Sequence, residues 1–409
     1  MRILTFTSLF PNSVQPWHGS FVYQRVAHLA RRPGNSVTVV APVPYAPSWI
    51  STQRWREASS IPAREKFEEL DVYHPRYFLL PKISMPLHGL SMFAGSLRTV
   101  RQLHEKIRFD CIDAHYIYPD GFAAVRLGKS LGIPVIVSAR GTDISLFPSF
   151  RLIRPMIQWT LRNATGVVGV CDALKQSMLG LGASVENTRA IGNGVDVQRF
   201  RPMERREARG KLDIPLDAEV VVAVGNLVPV KGHQFLIPAI ARLTTQCPKI
   251  ILYIVGEGYF RAKLEALAKQ EKVQDRVIFV GRKPNEELRY WYSAADVSCL
   301  ASSREGWANV LLESLACGTP VVATRVWGAP EVITSPDLGF LVDGSVGSIA
   351  AGLGLALHKR WNREALARYA ASRTWDVVAS EVENFLKLQI RPEGKRRPEA
   401  GEVQSDLEG

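Results

Sequence analysis

Residues 296–324 constrain the fold of this chain more than any other segment. An apolar run at 296–300 leads into a polar loop, a short helical stretch that begins near residue 308, a Gly-Thr-Pro turn and a second apolar run at 321–324. Strand, loop, helix, turn and strand in this order are typical of half a βαβ crossover, which joins parallel strands. The segment therefore predicts an α/β protein built on a parallel sheet.

Two glutamates of this segment suit an elongated ligand that has hydroxyl groups at both ends. Glu305 lies in the loop and Glu313 on the helix, and their separation of eight positions spans about 12 Å when helical. The helix begins near Asn309 and Val310, where backbone N–H groups and the helix dipole favour an anion. A nucleotide sugar, with its central diphosphate, has this layout. The plain alternative is one loop acid and one solvated helix residue.

A longer motif surrounds the two glutamates. The string Glu-Gly-Trp-Ala-Asn-Val-Leu-Leu-Glu at 305–313, followed by Gly-Thr-Pro-Val-Val-Ala at 318–323, resembles the signature of glycosyltransferase family 4, which contains retaining enzymes of the GT-B fold. The resemblance implies two Rossmann-like, doubly wound domains that face a cleft, and a C-terminal helix that crosses back to the first domain. It also implies that Glu305 bonds hydroxyls of the transferred sugar and Glu313 those of the ribose.

The length of the chain also predicts two domains, because 409 residues exceed one typical core. Short runs that are apolar almost throughout alternate with helical stretches in residues 1–200, as in a parallel sheet covered on both faces. Residues 43–66 look irregular. We expect an acceptor-binding domain at 1–203, a nucleotide-sugar-binding domain at 204–370, a crossover helix at 371–390 anchored by Trp375, and a disordered tail at 391–409.

Charge is unevenly distributed along the chain. Residues 1–200 hold 23 Lys and Arg against 13 Asp and Glu, so they carry +10 of the net +12. A basic half favours an anionic membrane surface or an anionic acceptor, whereas no nucleic-acid-binding motif occurs. Residues 77–103 mix apolar and basic side chains, which fits either a loop and core helix or a surface that docks on a membrane.

Composition otherwise describes an ordinary globular protein, 46% hydrophobic and 22% charged. No apolar run is long enough to span a membrane, and the N-terminal run is too short for a signal peptide. We expect a cytoplasmic protein, peripheral on the inner face of the cell membrane. The five cysteines are scattered and lack the spacing of zinc ligands, so we expect reduced, buried thiols.

Loops of the predicted first domain carry candidate site residues. Gly19 precedes a helix whose start suits a phosphate, although a plain turn glycine explains it equally well. His115 and Asp120 flank a strand-to-helix loop and, with Asp143, are expected to meet the acceptor. The family has a His-Gly-x-Asp motif whose histidine lies near the transferred sugar, and this chain has Arg140 in its place. Because arginine cannot act as a base, we expect it to clamp a phosphate or a sugar carboxylate.

The second predicted domain supplies a cation for the donor. Family members read Gly-Arg-Leu-x-x-x-Lys-Gly after its first strand, with both cations on the diphosphate; Lys231 matches, and Asn226 replaces the arginine. Arg140 or another cation compensates for this loss, or donor affinity is lower. A solvated loop lysine is the alternative interpretation of Lys231. Gly281 and Arg282 follow a later strand, where the family's backbone meets the base.

The resemblance implies a metal-independent, cofactor-free, retaining transfer of a hexose from a UDP- or GDP-sugar to a hydroxyl of a glycan or polyprenyl-linked acceptor, in cell-surface polysaccharide assembly. No Asp-x-Asp pair occurs, which argues against the usual metal-dependent alternative for sugar nucleotides. A disaccharide phosphorylase of the same fold and a nucleotide-sugar binding protein without turnover remain open. The predicted catalytic residues are Glu305, Lys231 and Arg140; the predicted donor-binding residues are Glu313, Asn309, Val310, Gly306, Trp307, Asn226, Gly281, Arg282 and Gly19; the predicted acceptor-binding residues are His115, Asp120 and Asp143.

Overall fold

The structure is a computed structural model that describes residues 1–45, 53–79 and 85–390, with the backbone alone for residues 53–55. The tail predicted at 391–409 lies outside the described residues, as does part of the segment 77–103.

The first domain is built on an eight-stranded sheet with the order β10-β9-β8-β7-β1-β2-β5-β4, in which all pairs are parallel except β4 with β5. A separate parallel pair joins β3 to β6. The strands are β1 Arg2–Phe6, β2 Ser36–Val40, β3 Val43–Tyr45, β4 Arg64–Phe67, β5 Leu70–Tyr73, β6 Arg76–Phe78, β7 Cys111–His115, β8 Val135–Ala139, β9 Gly166–Gly169 and β10 Thr188–Ala190. The helices are α1 Ser20–Arg31, α2 Gln53–Ser60, α3 His88–Ile107, α4 Phe122–Leu131, α5 Thr142–Ser145, α6 Arg154–Asn163 and α7 Asp172–Gly180.

The second domain is built on a six-stranded sheet with the order β13-β12-β11-β14-β15-β16, parallel throughout. Its strands are β11 Glu219–Val224, β12 Ile250–Val255, β13 Val277–Gly281, β14 Val297–Leu300, β15 Val321–Thr324 and β16 Gly339–Val342. The helices from residue 205 onward are α8 Arg205–Lys211, α9 His233–Leu243, α10 Arg261–Gln270, α11 Asn285–Ala294, α12 Asn309–Ala316, α13 Ala329–Val332, α14 Val346–His358, α15 Arg363–Ala371 and α16 Trp375–Ile390.

Both sheets confirm the predicted doubly wound architecture, in which parallel strands are buried on both faces. Strands β1, β7, β8 and β9 bury nearly every residue, as their continuous apolar runs predict. The prediction of an irregular segment at 43–66 is wrong, because β3, α2 and most of β4 lie within it. Strand β4 alternates exposed and half-buried residues at the sheet edge, so its sequence lacks the apolar run that marks a central strand. All five cysteines are free and buried, as expected.

Helix α16 crosses back onto the first domain. Trp375 is buried and packs with Val382 and Leu386 against Ile3, Leu29 and other residues of the first domain. Arg32 at the end of α1 also donates a hydrogen bond to the buried carboxylate of Glu383 on α16. The C-terminal segment therefore completes the core of the N-terminal domain.

Helix α3 has one buried and one exposed face. Met92 and Val100 are fully buried, so this part of residues 77–103 is a core helix. On the opposite face Leu90 is partly exposed and Arg98 and Arg101 are exposed. Across the described parts of the chain, none of the helices combines the length and apolar composition that crossing a lipid bilayer requires.

Candidate active site

The two sheets bring the candidate residues to the points where their strand order reverses. In the second sheet the chain runs from β11 outward to β12 and β13, then returns to place β14 on the other side of β11. Lys231 lies in the loop after β11 and Glu305 in the loop after β14. Loops on either side of such a reversal form the ligand crevice of doubly wound sheets.

A cleft of about 510 Å³ lies between the two domains at this point. Seven of the predicted site residues line it, and they come from both domains. The lining consists of Phe21, Arg140, Gly141, Thr142, Ser145, Val170 and Asn193, with Val230, Lys231 and residues 304–310 on the opposite side.

An ion pair forms one wall of the cleft. The ammonium of Lys231 donates to Oε1 of Glu305 at 2.6 Å, and the buried hydroxyl of Ser302 donates to the same oxygen at 2.6 Å. Among the described residues no group donates to Oε2, so this oxygen can accept hydrogen bonds from a ligand. The pair presents a fixed cation and an acceptor side by side.

The start of helix α12 adjoins this pair. The helix begins at Asn309, and no side chain caps its first turn. The N-terminus of an uncapped helix favours anions because its backbone N–H groups and its dipole point toward them. The cleft thus has a second electropositive feature close to Lys231.

Glu313 lies further along α12 and lines a smaller cavity with Arg199, Asn285 and Trp375, which adjoins the cleft because Phe21 and Asn309 line both. The phenol of Tyr292 donates to its carboxylate at 3.0 Å. Burial raises the pKa of Glu313 to about 7, although this hydrogen bond opposes the rise. Glu305, in the loop before α12, and Glu313, on α12, therefore line different cavities.

Arg140 faces the cleft from the first domain and is held by neighbours on three sides. Its guanidinium donates to Oδ1 of Asn193 at 3.2 Å and to Nδ1 of His115, and it lies 5.7 Å from the centre of the Phe21 ring. Burial lowers the pKa of His115 to about 3, so this imidazole is neutral. His115 is fully buried behind Arg140 and does not line the cleft.

A buried ion pair between Arg25 and Asp113 supports the position of His115 behind Arg140. The guanidinium of Arg25 contacts both carboxylate oxygens of Asp113 at 3.1 and 3.3 Å and the hydroxyl of Ser138 at 3.0 Å. Asp113 also contacts Nε2 of His115 at 3.3 Å. Burial alone would raise the pKa of Asp113, but the guanidinium of Arg25 outweighs it and holds that pKa well below its usual range.

Backbone segments of the two domains touch across the cleft. A Cβ placed on Gly306 would lie 2.1 Å from the carbonyl oxygen of Arg140, and one placed on Gly141 would lie 3.2 Å from the Cα of Gly306. Asn193 of the linker also donates to Oδ1 of Asn309 at 3.0 Å. Because Asn193 contacts Arg140 too, it bridges the first domain to the start of α12. The structure is a closed arrangement of the two domains.

Besides His115, three predicted residues of the first domain lie outside the lining. Gly19 has a φ of 66° at the start of α1, where a Cβ would lie 2.2 Å from the carbonyl oxygen of Leu9. Asp120 is buried and accepts a hydrogen bond from the backbone of Ser8, and burial raises its pKa to about 7. Asp143 is buried, and its oxygens accept bonds from three backbone N–H groups. Their contacts with substrates stay predictions.

Three predicted donor-binding residues of the second domain lie along its sheet edge, away from the lining. Asn226 follows β11, and Gly281 ends β13 with a φ of 82°. Arg282 comes next and is exposed. The carboxyl end of β13 is three strand spacings from that of β14, or about 14 Å. Gly281 and Arg282 are therefore distant from Glu305 on the same edge, whereas Asn226 follows β11, the neighbour of β14. The role of all three stays a prediction.

The structure also shows site residues that the sequence does not reveal. Asn193 stands between two glycines, which indicates only a linker turn. Phe21 lies on an amphipathic helix, where an aromatic residue usually indicates core. Ser302, Tyr292 and the pair Arg25–Asp113 act through contacts between residues far apart in sequence. Among the described residues, no group of three or more His, Cys, Asp or Glu side chains is placed to share a metal ion.

Comparisons with known proteins agree with this architecture. A family profile described as "Glycosyltransferase Family 4" matches residues 19–199, and one described as "Glycosyl transferases group 1" matches residues 204–373. A Bacillus subtilis protein provisionally named as the teichuronic acid biosynthesis glycosyltransferase TuaC is 28% identical over 399 residues, 95% of each chain. D-inositol 3-phosphate glycosyltransferase 2 of Catenulispora acidiphila is 30% identical over 347 residues, 76% of this chain and 80% of that protein.

Solved structures share the fold at lower identity. Sucrose-phosphate synthase from Thermosynechococcus elongatus has a TM-score of 0.76 at 19% identity, covering 95% of this chain and 98% of its own. Anabaena HepE, solved in complex with UDP, has a TM-score of 0.71 at 19% identity, covering 95% of this chain and 100% of its own. With both halves of the chain matched and both domains doubly wound, this protein is a GT-B glycosyltransferase and belongs to glycosyltransferase family 4.

Proposed function

We propose that the protein transfers a hexose from a UDP- or GDP-sugar to a hydroxyl of a glycan or lipid-linked acceptor, with retention at the anomeric carbon and without a metal ion. The observation that carries this proposal is the Lys231–Glu305 pair at 2.6 Å, which shares one wall of the interdomain cleft with the start of α12. A cation, an acceptor and a helix N-terminus together match a sugar that is linked to a diphosphate.

In this proposal the cleft offers a binding position for each part of the nucleotide-sugar donor. The diphosphate lies at the start of α12 near Lys231, where charge that develops on the leaving group is stabilised. Oε2 of Glu305 accepts hydrogen bonds from hydroxyls of the sugar. The ribose lies toward Glu313 and the base toward Gly281 and Arg282. HepE, solved with UDP, supports this class of donor.

The carboxylates that reach the cleft decide which retaining route we propose. Within the described residues, Glu305 is the one carboxylate in the lining, and Lys231 and Ser302 hold its Oε1. A covalent route would need a free carboxylate below the anomeric carbon. We therefore infer same-face attack, in which the acceptor hydroxyl approaches while the diphosphate leaves. Closure of the domains excludes water from this step.

The acceptor is proposed to reach the protein from a membrane surface. Residues 1–200 carry most of the net positive charge, and the outer face of α3 presents Leu90, Arg98 and Arg101 at helical spacing, with the exposed Leu87 directly before the helix. Apolar and basic residues on one face suit an anionic bilayer. The name of the B. subtilis relative supports a role in cell-surface polysaccharide assembly.

A thermal-shift screen against UDP- and GDP-sugars with EDTA present tests donor class and metal independence, because a ligand of the native state raises the melting midpoint. Phosphate-dependent release of a sugar phosphate would instead identify a phosphorylase. Donor binding without transfer to any acceptor would identify a binding protein.

Substitutions at the ion pair test the site itself. We expect Lys231→Ala and Glu305→Ala each to lower turnover by about 10²–10³-fold with little loss of stability. The exposed pair Lys249–Asp217, at 2.7 Å, supplies the matched control, and Lys249→Ala should leave turnover unchanged. Near-normal turnover in either cleft variant would contradict the assignment.

A further inference from the structure

Arg140 is a cation of the cleft that has no carboxylate partner among the described residues. Its two resolved hydrogen bonds go to the amide of Asn193 and to the neutral imidazole of His115. Guanidinium carries five N–H groups, so three remain without an acceptor from residues that the structure describes. Its Nε is buried and unpaired, and its other two free donors are on the terminal nitrogens.

The carboxylates nearest to Arg140 are committed elsewhere. Asp113 pairs with Arg25 in two contacts and with His115 in a third. Asp143 uses its oxygens on backbone N–H groups, including that of Arg140 itself. Neither makes an ion pair with the guanidinium. A partly desolvated cation without a counter-charge is costly, and an anionic ligand would relieve that cost.

The guanidinium is held in a fixed position rather than free to move. The ring of Phe21, the amide of Asn193 and the imidazole of His115 contact it from separate elements. A side chain that is ordered before binding loses little entropy when it binds a ligand. Arginine also presents its terminal N–H groups in a plane that matches the two oxygens of a carboxylate.

The position of Arg140 places it at the sugar end of the donor. Its carbonyl oxygen touches Gly306, which follows Glu305, and Asn193 connects its guanidinium to Asn309 at the start of α12. Across the cleft, Lys231 and the helix start already provide for the diphosphate. Arg140 therefore faces the space between Glu305 and α12, where the transferred sugar is proposed to lie.

Building on the function proposed above, we propose that Arg140 selects a donor whose transferred sugar carries a carboxylate, that is, a nucleoside-diphosphate uronic acid. The carboxylate forms charge-assisted hydrogen bonds with the terminal N–H groups of the guanidinium, and Glu305 accepts bonds from the sugar hydroxyls on the other side. An uncharged hexose leaves the cation without a counter-charge.

Matched donors test this directly by calorimetric titration of the full chain. UDP-glucuronate is compared with UDP-glucose, and GDP-mannuronate with GDP-mannose, because each pair differs only in oxidation at one carbon. We expect the wild-type protein to bind one uronate about 10- to 100-fold more tightly than its neutral counterpart. Arg140→Gln should remove most of this preference, and Arg140→Lys should retain part of it. Lys269→Gln, an exposed change of equal charge on α10, should keep it.

Each remaining outcome has a definite meaning. Equal affinity for uronate and neutral donors in the wild-type protein overturns the selectivity but leaves the proposed function standing. Loss of affinity in Arg140→Gln that is the same for uronate, neutral sugar and free nucleoside diphosphate assigns Arg140 to the diphosphate and overturns the inference. Failure of every nucleotide sugar to bind overturns the proposed function and this inference with it. If Arg140→Gln does not fold, the uronate preference of Arg140→Lys is compared with that of the wild-type protein, and its expected partial loss tests the inference.

Discussion

Replacing Gly306 with alanine tests whether transfer requires the two domains to close against each other. In the closed structure the added methyl carbon would lie 2.1 Å from the carbonyl oxygen of Arg140 and 2.9 Å from its carbonyl carbon. A carbon and an oxygen in contact without covalent bonding normally lie about 3.3 Å apart. The two backbones must therefore separate by about 1 Å before the alanine fits.

Neither side of this contact can yield by a rotamer change, because both are backbone atoms. Forcing an extra methyl group into a packed contact costs about 1–3 kcal/mol, which lowers the closed population by about 5- to 150-fold. A displacement of about 1 Å at a reacting centre costs about 100-fold in rate. We expect kcat of Gly306→Ala to fall by about that factor, with a smaller change in donor affinity, since most proposed donor contacts lie within the second domain.

The assay pairs steady-state turnover with calorimetric donor affinity. Gly344→Ala is the control, because a Cβ at this exposed glycine of the same domain meets no atom within 4 Å. Small-angle scattering of the donor complex should show a more open Gly306→Ala protein than wild type. Turnover within twofold of wild type would refute the requirement for this contact.

Three further changes probe stability. Arg25→Met leaves Asp113 buried without its cation and should lower the free energy of unfolding in urea by about 3–5 kcal/mol. Adding Asp113→Leu should recover much of this loss. An unchanged midpoint of urea unfolding in Arg25→Met would count against a stabilising role of the pair. Burial raises the pKa of Glu313 from 4.5 to about 7, so the contribution of this group to the free energy of unfolding is fully present below pH 4.5 and is lost as pH rises to 7. Relative to Glu313→Gln, the stability of the wild-type protein should fall across that window by at most about 3 kcal/mol. Parallel curves of stability against pH for the two proteins would contradict this. Trp375→Ala should cost about 3–5 kcal/mol by calorimetry, and a smaller loss would mean that α16 anchors elsewhere.

The sequence predicts the fold well because its strongest signals are local. The apolar runs predicted at 296–300 and 321–324 correspond to β14 Val297–Leu300 and β15 Val321–Thr324. The crossover helix, expected from residue 371, begins at Trp375 because α15 occupies the preceding residues and a short turn separates the two. Edge strand β4 escapes prediction, since a strand with one exposed face and several charges lacks an apolar run.

The sequence predicts which residues form the site better than it predicts the contacts between them. Sequence reasoning brings Lys231 and Glu305 to one ligand, yet their direct contact depends on β11 and β14 being neighbours in the sheet. The exchange of the family's histidine for Arg140 is visible in the sequence. Its neutral partner His115 and its bridge through Asn193 are not, because these contacts join segments that only tertiary folding brings together.

Helix α16 ties the folding of the first domain to the synthesis of residues 375–390. Ile3, Leu29 and Ile136 pack against Val378, Val382 and other residues of this helix, which the ribosome adds long after the first domain is otherwise complete. At about 5–20 residues per second, synthesis from residue 200 to residue 386 takes roughly 10–40 s. During that time one face of the first sheet lacks part of its cover, and a nascent chain that stalls in the second domain exposes apolar surface in the first.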